Sequence, residues 1–238
     1  MNIAIIGYGK MGKVIERIAT ERGHHITVKI TSQNADFKPE ELKDVDVAIE
    51  FSVPSAAIAN IQKCFEAQVP VVVGTTGWMD HLENVSQQCA KKNGGLFYAS
   101  NFSIGVNIFF KINQQLAKLM NPQTEYEIRM EEIHHTQKLD SPSGTALSIA
   151  HQILDEVDRK SSWVEAETAN SDQIAIDAKR IADTPGTHSV TYENHIDKIE
   201  ILHEAKGREG FASGAVLAAE FMTGKTGIYT MNDLLAQN

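Results

Sequence analysis

Met1-Asn2-Ile3-Ala4-Ile5-Ile6-Gly7-Tyr8-Gly9-Lys10-Met11-Gly12 opens the chain and carries its fold class. Ile3 to Ile6 is a short apolar run of the buried-strand type, and helical periodicity extends from about Lys10 to Thr20. Between them Gly7, Gly9 and Gly12 fit G-x-G-x-x-G. In that turn, glycines tighten the passage from strand to helix and let the backbone approach a pyrophosphate. The bare pattern also describes an ordinary strand-to-helix turn. Its place after a predicted strand and at a predicted helix start favours a dinucleotide cofactor. Gly7, Gly9, Lys10, Met11 and Gly12 are therefore candidate cofactor contacts.

Outward from this turn, strand and helix signals alternate. His25 to Thr31, Val45 to Phe51, Val69 to Val73 and Leu96 to Tyr98 read as strands, with helices near Ser55 to Ala67 and His81 to Lys92. This spacing predicts a parallel sheet covered on both faces, a Rossmann-type α/β domain. An NAD-binding strand two ends in Asp or Glu about 20 residues beyond the glycine loop. Here Lys29-Ile30-Thr31-Ser32-Gln33-Asn34 carries no carboxylate before Asp36. Donors such as Ser32, with Lys10 or Lys13, suit a 2′-phosphate, so NADPH, or both NADPH and NADH, is the expected cofactor. Two more loops sit at strand C-terminal ends: Gly74-Thr75-Thr76-Gly77 and Ala99-Ser100-Asn101-Phe102-Ser103. Their hydroxyls and amide suit a nicotinamide ribose or carboxamide, although either loop alone also reads as a polar turn.

The pattern changes near residue 105. Val106 to Met120 is an amphipathic helix, and Glu125 to Glu132 alternates, with Tyr126, Ile128 and Met130 on one side and Glu127, Arg129 and Glu131 on the other. Leu147, Ala150, Leu154 and Val157 form a helical stripe. Ser189 to Glu193 and Lys198 to Ala205 read as antiparallel strands, and Gly214 to Met222 as a small-residue helix. The second half is thus an α+β unit. Within it, His134-His135-Thr136-Gln137-Lys138-Leu139-Asp140-Ser141-Pro142-Ser143-Gly144-Thr145 puts two imidazoles and an ammonium before a helix start. Pro142 suits the first turn, with Ser141 as cap. Free N–H groups and the helix dipole attract anions there, so a pocket for a small carboxylate or phosphate is expected. Zinc held by His134, His135, His188 and His203 is the competing reading. Adjacent histidines cannot easily share a tetrahedral centre, so no metal is expected. His188 and His203 read as structural sheet residues, and the Arg129 face as solvated or a subunit surface.

With 238 residues and 42% apolar content, the chain has room for a sizeable core. A net charge of −9 disfavours nucleic-acid binding but leaves room for a local basic pocket. No apolar run approaches the ~20 residues that span a bilayer, and the first run is too short for a signal peptide. Two distant cysteines, Cys64 and Cys89, fit a reduced cytoplasmic setting.

Glu132-Ile133-His134-His135 with Lys138, Asp140 and Pro142-Ser143-Gly144-Thr145 resembles the E-x-H-H-x-x-K-x-D-x-P-S-G-T signature of the dihydrodipicolinate reductase family. Gly74 to Gly77, Asn101 to Asn107, His188, Ile199 to His203 with Arg208, Phe211 to Ala215 and Gly227-Ile228-Tyr229 match family segments too, so the resemblance covers nearly the whole chain. It implies a dinucleotide-binding domain over 1–104, completed by 209–238, with a substrate-binding and oligomerisation domain of mixed sheet over 105–208. It further implies a homotetramer, and NAD(P)H-dependent reduction of 4-hydroxy-tetrahydrodipicolinate, a cyclic dicarboxylate, to tetrahydrodipicolinate in lysine and diaminopimelate biosynthesis. By position, His134 corresponds to the acid/base histidine and Lys138 to the proton donor, while His135, Gly144 and Thr145 correspond to substrate-carboxylate contacts. Gly7, Met11 and Gly12, Gly74 to Thr76 and Ala99 to Phe102 correspond to cofactor contacts. Another nicotinamide oxidoreductase of a small carboxylate, or a dinucleotide-sensing module without catalysis, are the alternatives.

Overall fold

The computed structural model describes residues 1–236. The chain divides into two compact units, Met1–Ile104 with the segment from Glu209 onward, and Gly105–Arg208. Among the described residues, no helix is long and apolar enough to cross a membrane.

In the first unit, β1 (Asn2–Ile6), β2 (His25–Ile30), β3 (Val47–Glu50), β4 (Val71–Val73), β5 (Gly95–Tyr98) and β11 (Gly227–Tyr229) form a six-stranded sheet in the order β11-β5-β4-β3-β1-β2. Every pairing is parallel. Strands covered on both faces need apolar side chains in both directions, which is why Val-Val-Val and Asn-Ile-Ala-Ile-Ile serve here. Two helices, α2 (Pro54–Glu66) and α3 (Leu82–Lys91), cover one face. The opposite face lies under α1 (Lys10–Glu21) and α6 (Glu209–Met222). The short helix α7 (Met231–Leu235) packs its Met231 into the same core. Parallel strands place all their carboxyl ends along one edge, and the order reverses beside β1, where α/β sheets bind ligands.

In the second unit, β6 (Glu127–His134), β7 (Ser162–Glu165), β8 (Gln173–Arg180), β9 (Thr187–Glu193) and β10 (Lys198–Glu204) form a mixed sheet in the order β10-β9-β6-β8-β7. β9 is antiparallel to both β6 and β10, whereas β6–β8 and β8–β7 are parallel. One face packs on α4 (Ile104–Met120) and α5 (Gly144–Glu156).

Sequence patterning misses three strands here: β7, β8 and the three-residue β11. It also misphases α5, whose buried face is Ala146, Ile149, Ala150 and Ile153; Leu147 and Leu154 flank it, half-buried. The α5 cap is Ser143, whose Oγ accepts from the Ala146 N–H at 3.2 Å, and not Ser141. Pro142 lies outside the helix, after a cis Ser141–Pro142 peptide, so the first turn begins two residues later than its ring suggests.

The α6 helix reaches the sheet through Ala212, Gly214, Ala215, Ala218 and Ala219, all buried. At Gly214, a Cβ would fall 1.7 Å from the Phe102 carbonyl oxygen. Overpacking typically costs about 1–3 kcal/mol, and rigid backbone puts this case at the upper end. That exceeds the ~1 kcal/mol that alanine gains over glycine in a helix. Gly214→Ala is therefore expected to lower the denaturant midpoint clearly; an unchanged midpoint would contradict the close approach.

Candidate active site

The carboxyl edge of the first sheet gathers four loops. Gly7 ends β1 with a φ of +96°, and a Cβ there would lie 2.1 Å from the Phe51 carbonyl oxygen. A Cβ on Gly74 would strike the Phe51 ring, so the loops after β1 and β4 both close on Phe51. The Phe51 and Phe102 rings meet at 5.6 Å. Ser52 N–H donates to Thr75 Oγ1 at 2.8 Å, and Ala99 N–H to the Val73 carbonyl at 3.3 Å. Beneath them Glu50 is fully buried, bonded to the Ser52 hydroxyl and to Asn60 Nδ2, and burial pushes its carboxyl up. Phe51, Ser52 and Glu50 are site residues that motif reading misses. Their signal is only that β3 ends on the same edge.

The glycine loop fits a pyrophosphate. Gly9 is the N-cap of α1, no side chain caps it, and no acidic residue lies in the first turn. The N–H groups of Lys10, Met11 and Gly12 occupy the first turn, where no carbonyl of the helix is available to them. A Cβ on Gly9 would meet nothing within 4 Å, so open space lies against those donors. Past β2, the Asn34 side chain ties the turn by accepting from Thr31 N–H and Oγ1 and donating to the Lys29 carbonyl. Ser32 and Gln33 are exposed there. Lys29 pairs with Glu16 at 2.5 Å and lies over the Tyr8 ring, and Lys10 and Lys13 are exposed beside the loop.

The second unit carries the histidine–lysine segment. His134 ends β6 on the same face as Ile128, Met130 and Glu132, and its Nδ1 lies 3.4 Å from Glu132 Oε2. Burial lowers the His134 imidazole to about 4, against the opposing pull of Glu132 and with the help of the positive charges of Lys138 and Arg180. It is neutral at pH 7. His135 is half-buried, with Nδ1 enclosed. Lys138 Nζ donates to both carboxylate oxygens of Asp140, at 2.8 and 2.9 Å, and holds that carboxyl below its usual range. Gly144 and Thr145 form the first turn of α5; Gly144 is exposed, and a Cβ on it would meet nothing within 4 Å.

Glu132 resists ionisation through burial, yet contacts from His188 and Ser143 hold its carboxyl down to about 2. Ligand atoms of Glu132, His134 and His188 all lie within 4.8 Å of one another. Two of the histidines weighed for zinc are thus brought together, with a glutamate in place of the other two. The donor set does not fit a cation: Ser143 occupies both Glu132 oxygens and the Arg180 guanidinium stands 3.2 Å from Oε1. Sequence reading quotes Glu132 in the family signature without giving it a role, and passes over Arg180. The signal for Glu132 is its parity with Ile128 and Met130.

The comparisons with known proteins follow this division. The family model of the dihydrodipicolinate reductase N-terminus matches residues 1–102, and that of the C-terminus matches 105–235. A 4-hydroxy-tetrahydrodipicolinate reductase of Christiangramia forsetii is 52% identical over 99% of this chain and 98% of its own. One of Neisseria meningitidis serogroup B is 35% identical over 94% of this chain and 84% of its own. Among solved structures, dipicolinate-bound dihydrodipicolinate reductase from Paenisporosarcina sp. TG-14 shares the fold, with a TM-score of 0.77 and 20% identity over 97% of both chains. A probable dehydrogenase from Thermotoga maritima matches more loosely, at 0.55 and 11% over 98% of this chain and 92% of its own. With both halves matched and close relatives aligned from end to end, the chain belongs to the dihydrodipicolinate reductase family.

Proposed function

We propose that this chain reduces 4-hydroxy-tetrahydrodipicolinate to tetrahydrodipicolinate with NAD(P)H, a step of lysine and diaminopimelate biosynthesis in the cytoplasm. One observation beyond family membership carries the reading. A neutral imidazole, an ammonium and an open helix start occur in one short segment, from His134 to Thr145. This is what a small dianionic ring that takes up a proton requires.

The nicotinamide, when bound, supplies the hydride. Lys10, Met11 and Gly12 hold the pyrophosphate through backbone N–H groups, while Gly7, whose N–H is donated to the Ile30 carbonyl, and Gly9 shape the turn that admits it. Thr75, Thr76 and the Ala99 to Phe102 loop, with Gly74, orient the nicotinamide end. Ser32 and Lys10 lie where a 2′-phosphate is read, and the absence of a carboxylate after β2 removes the repulsion that would exclude it. NADPH is the preferred coenzyme and NADH is tolerated.

Lys138, His135 and the N–H groups of Gly144 and Thr145 bind the two substrate carboxylates. Hydride addition leaves negative charge on the conjugated ring, and a positioned acid that quenches it accelerates reaction by ~10²–10⁴. Lys138 carries that proton and His134 exchanges it. Substrate carboxylate approaching Lys138 competes with Asp140, which loosens the ammonium from its resting partner. The uncovered face of the second sheet, with Arg129, Glu131, Glu193, Lys198 and Glu200, is where subunits join into a homotetramer. A solution mass of four chains is the expected result by light scattering, and a stable monomer would refute it.

The deciding assay follows loss of reduced-nicotinamide absorbance with freshly condensed pyruvate and aspartate semialdehyde. Turnover is expected with both coenzymes. Binding of coenzyme without turnover would favour the sensing module, and turnover only with another carboxylate would favour a different oxidoreductase. Lys10→Ala is expected to raise the NADPH KM about two- to fivefold, the size of one exposed ion pair, and to spare NADH.

His134→Gln should lower kcat with NADPH affinity intact, and Lys138→Ala should lower kcat and raise the substrate KM. The His134 ring also gives a stability signature. Its pKa in the fold, about 4, lies below the 6.5 of the free side chain. The unfolded chain therefore binds more protons between those values, and stability present above pH 6.5 is lost as pH falls through about 4. Thermal melts should decline through that window less steeply in His134→Gln than in the natural protein.

A further inference from the structure

Glu132 does more than fill a place in the sheet. The carboxylate is fully buried on the apolar face of β6 and is met from three other elements. From the α5 start, Ser143 N–H donates to Oε1 at 3.0 Å and the Ser143 hydroxyl donates to Oε2. From β8, Arg180 Nη2 stands 3.2 Å from Oε1 and also donates to the Asp140 carbonyl at 2.7 Å. From β9, His188, the cross-strand neighbour of Glu132, places Nε2 3.6 Å from Oε2 and 3.2 Å from Ser143 Oγ. His134 Nδ1 lies 3.4 Å from Oε2, within reach of its charge but without hydrogen-bond geometry.

Proton counting fixes the roles. The Ser143 hydroxyl gives its one proton to the carboxylate, so it accepts from Ala146 N–H and from His188 Nε2–H. His188 therefore carries a proton on Nε2. The same carboxylate faces His134 Nδ1. The pair lacks hydrogen-bond geometry and interacts through charge: at 3.4 Å a lone pair turned to the anion is repelled and an N–H is attracted, which favours the proton on Nδ1 and leaves Nε2 as the basic atom.

We propose that Glu132 is a positioning residue of the substrate site, which locks His134 in the Nδ1–H tautomer and clamps the α5 start through Ser143. The acid/base nitrogen and the carboxylate-binding N–H groups are thereby held to one rigid anchor. The inference rests on the proposed roles of His134 and of the Ser143 to Thr145 turn. Its central measurement, the ring tautomer, needs no turnover. A failed activity assay and a failed tautomer assignment are therefore separate results.

The test is ¹⁵N NMR of the histidine rings in the full chain, with His134 assigned through the loss of its signals in His134→Gln, alongside steady-state kinetics of Glu132→Gln. The amide matches the carboxylate in shape but sets an NH2 against at least one of its donors. A protonated Nδ1 and a pyridine-like Nε2 are expected for His134 in the natural protein. Glu132→Gln should mix the tautomers and lower kcat about tenfold or more, with the NADPH KM unchanged. Ser143→Ala, which keeps the Glu132–His134 contact, should raise the substrate KM more than it lowers kcat. A pyridine-like Nδ1 at His134 in the natural protein overturns the proposal even if Glu132→Gln does not fold. So does a folded Glu132→Gln with unchanged kcat and ring shifts, or one that loses coenzyme affinity and kcat alike.

Discussion

A carboxylate buried in an apolar layer is tolerated only when its lone pairs are met by donors and its charge by a cation. Glu132 imposes that constraint on the second unit. Its neighbours along the strand face, Ile128 and Met130, are apolar, and no solvent reaches it. The donors must come from the protein, and they come from separate parts of the chain: Ser143 ahead of α5, Arg180 at the end of β8 and His188 on β9. Satisfying one side chain therefore fixes where a helix starts, how a parallel strand is placed against β6, and how the His134 to Asp140 loop is tied down through Arg180. The gain is geometric more than energetic, since a well-packed apolar cluster would stabilise the sheet as well or better.

On the proposed reading, the two units recognise ligands in different ways. The first uses backbone: N–H groups at the start of α1, a glycine whose φ is left-handed, and loops pressed together around Phe51. Such recognition depends on fold and little on side chains. A dehydrogenase at 11% identity can therefore share the architecture without sharing a substrate. The second unit uses side chains at fixed spacing, and the identity of the acceptor resides there. The His134 to Thr145 segment marks the chain as a dihydrodipicolinate reductase more than the glycine loop does.

Five strands of the first sheet were legible because doubly covered parallel strands are short apolar runs that recur between helical stretches, whereas the three-residue β11 is too short to show a pattern. The glycine motif and three of its neighbouring loops followed from knowing where strands end. The second unit was legible in part. β6, β9 and β10 show alternation, but β7 and β8 lie in Ser162–Arg180, where Trp163, Val164, Ile174 and Ile176 are interspersed with Asp, Glu, Lys and Gln. Their pairing is set by contacts with β6 rather than by a local pattern. Without β8, Arg180 had no position. The burial of Glu132 was hidden for the opposite reason: its side of the strand was readable, yet composition argues that glutamate faces water. The Ser141 to Ser143 shift of the α5 cap has the same origin, since the buried partner that selects Ser143 lies eleven residues away in sequence.

The net charge of −9 appears hostile to a dianionic substrate, and the site resolves this locally. An anion entering near Asp140 and Glu132 would meet two carboxylates, but neither is free. Lys138 holds both oxygens of Asp140, and Ser143, Arg180 and the histidines surround Glu132. With Lys138 balanced by Asp140 and Arg180 by Glu132, the field left over is that of the α5 start. Keeping His134 neutral fits this balance. An imidazolium would add to the attraction but would hold its proton against the carboxylate behind it. A neutral ring with its basic nitrogen turned away from Glu132 can accept a proton and release it within one turnover. Burial lowers the basicity of the ring and Glu132 raises it, so the same strand that enforces the first effect carries the residue that limits it.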